Sequence, residues 1–307
     1  MKILRHTSDF AVLKKGCVAT IGNFDGVHLG HQRVIQQVEQ QAQQMGLPSV
    51  VISFEPLPAE YFNKTVARIL PLRDKALKLK ALGVDYFVCL PFNSALAGME
   101  AEHFVTSLLL NALQVRHLVV GDDFRFGRGR EGDYALLQSL GAGQGMQVMD
   151  STTLLHQQAR VSSTRIREAL SAPDLALAQQ LLGEPYRLSG RVRHGDKRGR
   201  TINFPTLNLR VPDTIALAKG VYAVRVAGLG NNVLNGVANL GARPTVNGVS
   251  MRLETHVFDF NQQVYQQHVC IEPVAFLRLE QRFESFSALK EQIERDAKQA
   301  RDLLATA

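Results

Sequence analysis

The amino-acid sequence predicts an α/β protein in two parts: a doubly wound parallel sheet, then an antiparallel β-barrel domain with a C-terminal helix. Three observations predict it. Through the first 183 residues apolar β-type runs alternate with helical stretches, the βαβα rhythm of a parallel sheet. After Pro185 short strand candidates follow one another, separated by Gly, Asn and Pro turns, the pattern of a barrel or sandwich. The length, 307 residues, points to two domains that each bury a core of their own.

The first strand is expected at Val18–Gly22, followed by a helix over Gln32–Met45 whose Gln-rich stretch forms a polar face. Ser49–Phe54, Val84–Leu90 and Val115–Gly121 read as further buried parallel strands, because each is a near-continuous apolar run. Leu72–Leu82 and Glu100–Leu113 repeat apolar residues at helical spacing. Ligands of such a sheet bind beyond the carboxyl ends of its strands. Two more helices, Ser163–Leu170 and Leu175–Leu182, complete this part, the second stopped by Gly183-Glu184-Pro185. That stop sets the expected boundary, with domains at 1–183 and 184–307. Beyond it, strands are expected at Arg187–Val192, Val221–Val226, Val233–Ala238, Met251–Phe258 and Val269–Phe276. A charged helix over Ser287–Leu304 ends the chain, with Ser287 as its N-cap.

Composition excludes several classes. Hydrophobic residues make up 45% and charged residues 21%, ordinary for a globular protein and far from a disordered one. Cys17, Cys89 and Cys270 are odd in number and form no CxxC pair, which argues against a disulfide framework or a zinc site and suits a reducing cytoplasm. No apolar h-region follows the basic start and no apolar run reaches 18 residues, so neither a signal peptide nor a transmembrane helix is expected. The formal net charge of +7 falls largely in glycine-rich segments, Arg125 to Arg130 and Arg191 to Arg200, rather than in a tail. That placement favours phosphate-bearing small molecules over nucleic acid or a membrane surface.

Gly22-Asn23-Phe24-Asp25-Gly26-Val27-His28-Leu29-Gly30-His31-Gln32 follows the first strand and opens the first helix. His28 and His31, three apart, share a face at a helix N-terminus, where the dipole and unpaired N–H groups favour phosphate. Gly26 and Gly30 allow close approach because no Cβ intervenes. Metal binding is the weaker reading, since no third ligand stands at suitable spacing. Val161-Ser162-Ser163-Thr164-Arg165-Ile166-Arg167 is a second helix start. Locally it reads equally as a Ser/Thr cap and as hydroxyls, amides and arginines around a phosphate chain.

HxGH followed by SSTxxR is similar to the nucleotidyltransferase superfamily. Together with FEPLPAEYF (Phe54 to Phe62) and VGDDFRFGRGREGD (Val120 to Asp133), it resembles the FMN adenylyltransferase half of the bifunctional bacterial riboflavin kinase/FMN adenylyltransferase family, the FAD synthetases. The resemblance implies that Gly22, Phe24, His28, Gly30 and His31 face the ATP phosphates, opposite Ser163, Thr164 and Arg167. It implies that Asp123, Phe124 and Phe126 lie near flavin or nucleotide; on the residues alone, the two phenylalanines read equally as core.

In the second part, the basic loop from Gly190 through Gly195 and Gly199 to Arg200 leads into Asn203-Phe204-Pro205-Thr206-Leu207-Asn208. Such a loop reads as a phosphate cradle or as a surface hairpin. It resembles the GxVxxGxxxGRxxGFPTxN signature of riboflavin kinase, and Gly220 to Tyr222, Asn239 to Thr245, Leu253 to Phe258 and Phe276 to Arg278 continue the likeness. The resemblance then implies ATP contacts at Gly195, Gly199 and Asn208, Mg²⁺ held by Thr206 and Asn208, and Glu254 as general base. Without it, Glu254 reads as an exposed strand carboxylate. The chain departs from what the family commonly has in three places: Asn203 stands for glycine, Leu207 stands for alanine and adds volume beside Thr206, and the loop from Gln262 to Gln267 lacks the usual acidic and glycine residues.

The implied activity is phosphorylation of riboflavin to FMN by ATP, then adenylylation of FMN to FAD with release of pyrophosphate. FMN and FAD are then substrate and product rather than prosthetic groups. The kinase nucleophile is an un-ionised ribityl hydroxyl, so a base helps. The adenylyl nucleophile is a phosphate with a second pKa near 6, already ionised, so the need is charge stabilisation by His28, His31, Arg167 and Mg²⁺. Three rivals remain. A cytidylyltransferase leaves the barrel signature unexplained, a class I aminoacyl-tRNA synthetase lacks KMSKS here, and a flavin- or RNA-binding protein leaves the histidines and Glu254 without purpose. The sequence leaves the oligomeric state open.

Overall fold

The computed structural model describes residues 1–62, 64–194, 204–245 and 248–306. They form two compact units, one of Met1–Val66 with Leu72–Ser163, the other of Ala67–Pro71 with Thr164–Ala307.

The first unit begins with β1 (Lys2–Leu4), a 3₁₀ turn at Thr7–Leu13, β2 (Cys17–Ile21), α1 (Leu29–Met45), β3 (Ser49–Glu55), the single turn α2 (Pro58–Tyr61), α3 (Leu72–Ala81) and β4 (Tyr86–Pro91). The short α4 (Ser94–Ala97) and α5 (Ala101–His103) follow, then a π-helical stretch Phe104–Ala112, β5 (Val115–Gly121), α6 (Tyr134–Ala142), β6 (Gln147–Ser151) and a hairpin of β7 (Leu155–His156) and β8 (Ala159–Arg160). Six strands lie in the order β1-β4-β3-β2-β5-β6, with every pairing parallel. Continuous apolar runs make them so: β2 is buried at all five positions and β3 at six of seven, so both faces of the sheet need helices over them. The strand order reverses between β2 and β5. The loops that leave those two strands, at Gly22 and Gly121, therefore flank the crevice where ligands of such sheets bind.

The second unit contains α7 (Ser163–Ser171, from its second residue), α8 (Leu175–Leu182), β9 (Leu188–Arg191), β10 (Leu207–Arg210), β11 (Gly220–Ala227), β12 (Leu234–Thr245), β13 (Gly248–Val257), β14 (His268–Arg278) and α9 (Phe286–Thr306). The strands run antiparallel in the order β10-β13-β12-β11-β14-β9. A bridge between Arg193 and Asn208 joins the two ends of that order and all but closes the barrel. Ala297, Ala300 and Leu304 of α9 pack with Val221, Ala223 and Val237 of the sheet. Arg278 of β14 fixes the helix further by a paired contact with the buried Asp296 carboxylate, at 2.7 Å from Nη2 and 3.0 Å from Nε.

Several expectations meet a correction. Ser287 lies inside α9; the capping hydroxyl is that of Ser285, which accepts the Ala288 N–H at 3.1 Å. The cap must sit three residues before the amide it satisfies, and Ser285 has that spacing. The helix expected over Glu100–Leu113 is a single turn of α-helix followed by π-helix. Gly183 does stop α8, at φ 79° with its N–H on the Gln179 carbonyl. None of the three cysteines is in a disulfide, and burial pushes the Cys17 thiol up to about 12, so it stays protonated and inert.

The compact units divide differently from the expected boundary, because α7 and α8 group with the barrel. Within the second unit the Ala218 N–H donates to the Leu170 carbonyl, and the buried Tyr186 hydroxyl donates to Ile69 at 2.7 Å. Residues Ile166, Leu170, Leu181 and Leu182 are fully buried. A fragment starting at residue 164 is expected to melt at least about 5 °C above one starting at 184, because several buried apolar side chains are lost from the shorter one. Equal melting temperatures in calorimetry would show that these helices lend the barrel no stability.

Candidate active sites

In the first unit, the loop after β2 is held in an unusual backbone conformation. Phe24 and Val27 have φ of 47° and 46°, and Gly26 has 90°. Left-handed geometry is rare outside glycine and rarer still for a β-branched valine, so the surroundings must enforce it. Both side chains are buried, Phe24 in a core cluster with Val27 and Ile35. Any ligand contact by Phe24 is therefore made through its backbone.

His28 is the N-cap of α1: its Nδ1 accepts the His31 N–H at 3.3 Å. An accepting Nδ1 leaves the ring proton on Nε2, a donor for an anion. The His31 ring stacks on it with centroids 3.6 Å apart. Gly30 makes this possible, because a Cβ there would stand 3.2 Å from the His28 ring. Its lack of a Cβ thus makes room for the histidine ring. The Ser163 hydroxyl donates to the Asp25 carbonyl at 2.9 Å, so His28, His31 and Ser163 all attach to one loop. Thr164 is exposed at the start of α7, and in the second unit Arg167 Nε donates to the Ala67 carbonyl at 2.7 Å.

At the end of β5, Asp123 is exposed and paired with Arg160 at 2.9 Å. Phe124 and Phe126 stack with centroids 5.6 Å apart, but Phe126 is core, packed also on Phe104. An aromatic group that the sequence did not single out lies at the ends of β3 and β4. Phe54, Tyr61, Phe62 and Phe92 pack edge to face, and Phe62 is 57% exposed. An exposed aromatic at strand ends, inside FEPLPAEYF, was the available signal.

In the second unit, register aligns Asn208 of β10, Glu254 of β13 and Asn239 of β12. Directly opposed residues share a face, so three polar side chains stand in a row. Asn239 Nδ2 donates to Glu280 at 3.2 Å. Asn208 is buried, and its Oδ1 has no hydrogen-bond partner among the described residues. Leaving a carbonyl oxygen buried and unpaired is costly, so such an atom is expected to take a partner beyond the described residues. Thr206 is exposed at the entrance to β10. Gly195, Gly199 and Asn203 lie outside the described residues.

A cavity of about 660 Å³ is lined by Val192, Thr206, Leu207, Thr255, Val264 and Tyr265 among others, the chain neighbours of Asn208 and Glu254 included but not those two themselves. Leu207, the departure from the signature, is part of its wall. Thr255, missed from sequence, is fully buried there with an Oγ1 that has no partner among the described residues. Burial holds the His256 imidazole below its usual range, and its ring nitrogen bonds the Pro205 carbonyl at 2.9 Å. His194, at the start of the basic loop, stacks on Tyr265 with centroids 3.9 Å apart.

Two family models match the chain: FAD synthetase over residues 11–165 and riboflavin kinase over residues 182–304. The bifunctional riboflavin kinase/FMN adenylyltransferase of Escherichia coli (strain K12) is 45% identical over 305 residues, covering 98% of this chain and 97% of that one. The protein of the same description from Haemophilus influenzae is 45% identical over 303 residues, covering 98% of each. Among solved structures, one described as a macrolide-efflux protein from Streptococcus pneumoniae is similar with a TM-score of 0.79 and 29% identity, over 97% of this chain and 98% of that one. Among the described residues of this chain, no helix is long and apolar enough to cross a membrane.

Proposed function

The chain belongs to the bifunctional riboflavin kinase/FMN adenylyltransferase family, and from that premise we propose how its own residues divide the work. It phosphorylates riboflavin with ATP to give FMN, then adenylylates FMN with ATP to give FAD and pyrophosphate. We place the adenylyl step in residues 1–183 and the kinase step in residues 184–307.

For the adenylyl step, His28 Nε2–H and His31 neutralise charge growing on the ATP phosphates, with the loop from Gly22 to Gly30, Ser163, Thr164 and Arg167 completing the phosphate contacts. Stacked Phe124 and exposed Phe62 offer flat faces to the flavin, beside Asp123. FMN brings its own nucleophile, so no protein base is required. For the kinase step, Glu254 accepts the ribityl proton. Gly195 and Gly199 belong to the loop assigned to the nucleotide phosphates.

The observation that carries the kinase assignment is the buried Asn208 Oδ1, without a partner among the described residues and in register with Glu254. A neutral oxygen donor suits Mg²⁺, which takes most of its ligands from phosphate and water. We assign Asn208 and Thr206 to that ion; bound with ATP, it would neutralise phosphate charge. Asn208→Ala is expected to cost little stability, since among the described residues Oδ1 has no partner and Nδ2 makes only a long bond to the Thr206 carbonyl at 3.4 Å, yet to raise the Mg²⁺ concentration for half-maximal kinase rate by about tenfold or more. Asn208→Asp, which keeps an oxygen donor, should restore Mg²⁺ affinity. An unchanged Mg²⁺ titration for the alanine variant would remove Asn208 from the metal site. We further propose that the charge of +7 serves these anionic substrates rather than nucleic acid or a membrane surface, and that the enzyme works in the cytoplasm.

A further inference from the structure

We propose that Lys75 and Lys78 of α3 are positioning residues for adenylyl transfer, holding the carbonyls of the loop after β2 so that its amides face the ATP phosphates. The proposal rests on the assignment of that loop to ATP. Lys75 is 2% exposed, an expensive place for an ammonium group unless its donors are used. Its Nζ donates to the Asn23 carbonyl at 2.8 Å and to Ser53 Oγ at 3.2 Å, and Ser53 itself donates to the same carbonyl at 3.0 Å. One turn further along α3, Lys78 Nζ reaches the Gly26 carbonyl at 3.4 Å.

The rest of the loop follows the same rule. The Asp25 carbonyl accepts from Ser163, the Val27 carbonyl from the Gln32 side chain at 2.9 Å, and the Phe24 carbonyl from the Val27 amide at 3.3 Å. Every carbonyl from Asn23 to Val27 is therefore engaged. A trans peptide points its N–H opposite to its C=O, so fixing the Asn23, Phe24, Asp25 and Val27 carbonyls fixes the amides of Phe24, Asp25, Gly26 and His28. The Val27 amide, in one peptide with the Gly26 carbonyl that Lys78 holds, is spent on Phe24, so the Lys78 contact acts by locking the turn that presents the others. Amides from successive residues in left-handed and turn conformations form an anion-binding concavity. The left-handed φ values of Phe24 and Val27 are sustained by these anchors. The two lysines also bring positive charge beneath a loop that receives a polyanion.

The test is steady-state kinetics of the full chain with supplied FMN, varying ATP. Lys75→Met should raise KM for ATP by about ten- to a hundredfold, the effect of losing a charged hydrogen bond, while riboflavin phosphorylation stays within about twofold. Lys78→Met should raise it about threefold, and Lys78→Arg, which keeps a cationic donor, should match the parent. A purely structural lysine would lower the melting temperature and the active fraction, and hence kcat, with KM for ATP unmoved. Unchanged KM values in folded Lys75→Met and Lys78→Met overturn the proposal. If Lys75→Met does not fold, the Lys78 pair decides alone. Parallel variants at His28 and His31 separate the two failures: if they too leave adenylylation intact, the loop is not the ATP site at all.

Discussion

Replacing His28 and His31 together by alanine is expected to abolish conversion of FMN to FAD and to leave riboflavin phosphorylation near the parental rate. Each ring is proposed to stabilise phosphate charge in the transition state, and removing one such donor typically costs about 10²–10³-fold, so losing both reduces FAD formation below detection. His28 also caps α1, however, and an alanine there costs helix stability of about 0.5–2 kcal/mol. His28→Asn with His31→Ala resolves this. Asparagine is among the best N-caps, so α1 is retained while both imidazoles are gone. FAD formation should still be lost, with the melting temperature close to that of the parent. Recovery of adenylylation in the asparagine variant would reduce His28 to a cap.

Glu254→Gln is expected to slow riboflavin phosphorylation by about 10²–10⁴-fold in kcat, the usual worth of general-base assistance. The amide keeps the size and most of the hydrogen bonding at the centre of β13 but cannot take the ribityl proton. KM for riboflavin and for ATP should change far less, because the missing interaction acts in the transition state. FAD formation from supplied FMN should be unaffected. A kinase kcat within about twofold of the parent would return Glu254 to an ordinary strand carboxylate.

Much of this was legible in the sequence because it rests on local signals. The buried strands β2, β3 and β5 are apolar runs, α8 ends at a glycine, and His28 to His31 sits at a helix start whose spacing fixes which side chains meet. What escaped detection depends on pairing across distance. β10 is only four residues long and was not among the expected strands, so although the motif named Asn208, its register opposite Glu254 could not be read. Thr255 is a buried part of the cavity wall, which is invisible without knowing what covers that stretch of β13. β1 and β6 are short edge strands with mixed burial, lacking the continuous run that reveals a central strand. Lys75 offered no signal at all, since a lysine in an amphipathic helix reads as solvated until Asn23 and Ser53 are found against it. Ser285 and Ser287 flank Phe286, and only the amide each hydroxyl reaches shows that Ser285 is the cap.

The central claim is that one chain holds two independent active sites linked by FMN. Mixing the two disabled proteins tests it most directly. Purified Glu254→Gln and the His28→Asn, His31→Ala variant are each incubated with riboflavin, ATP and Mg²⁺, then together, and the flavins are separated by chromatography. Alone, the first should leave riboflavin nearly untouched and the second should accumulate FMN without FAD. Together they should convert riboflavin to FAD after a lag in which FMN rises and then falls. A mixture that accumulates FMN but no FAD, or that leaves riboflavin unconverted, would contradict two separable sites on this chain.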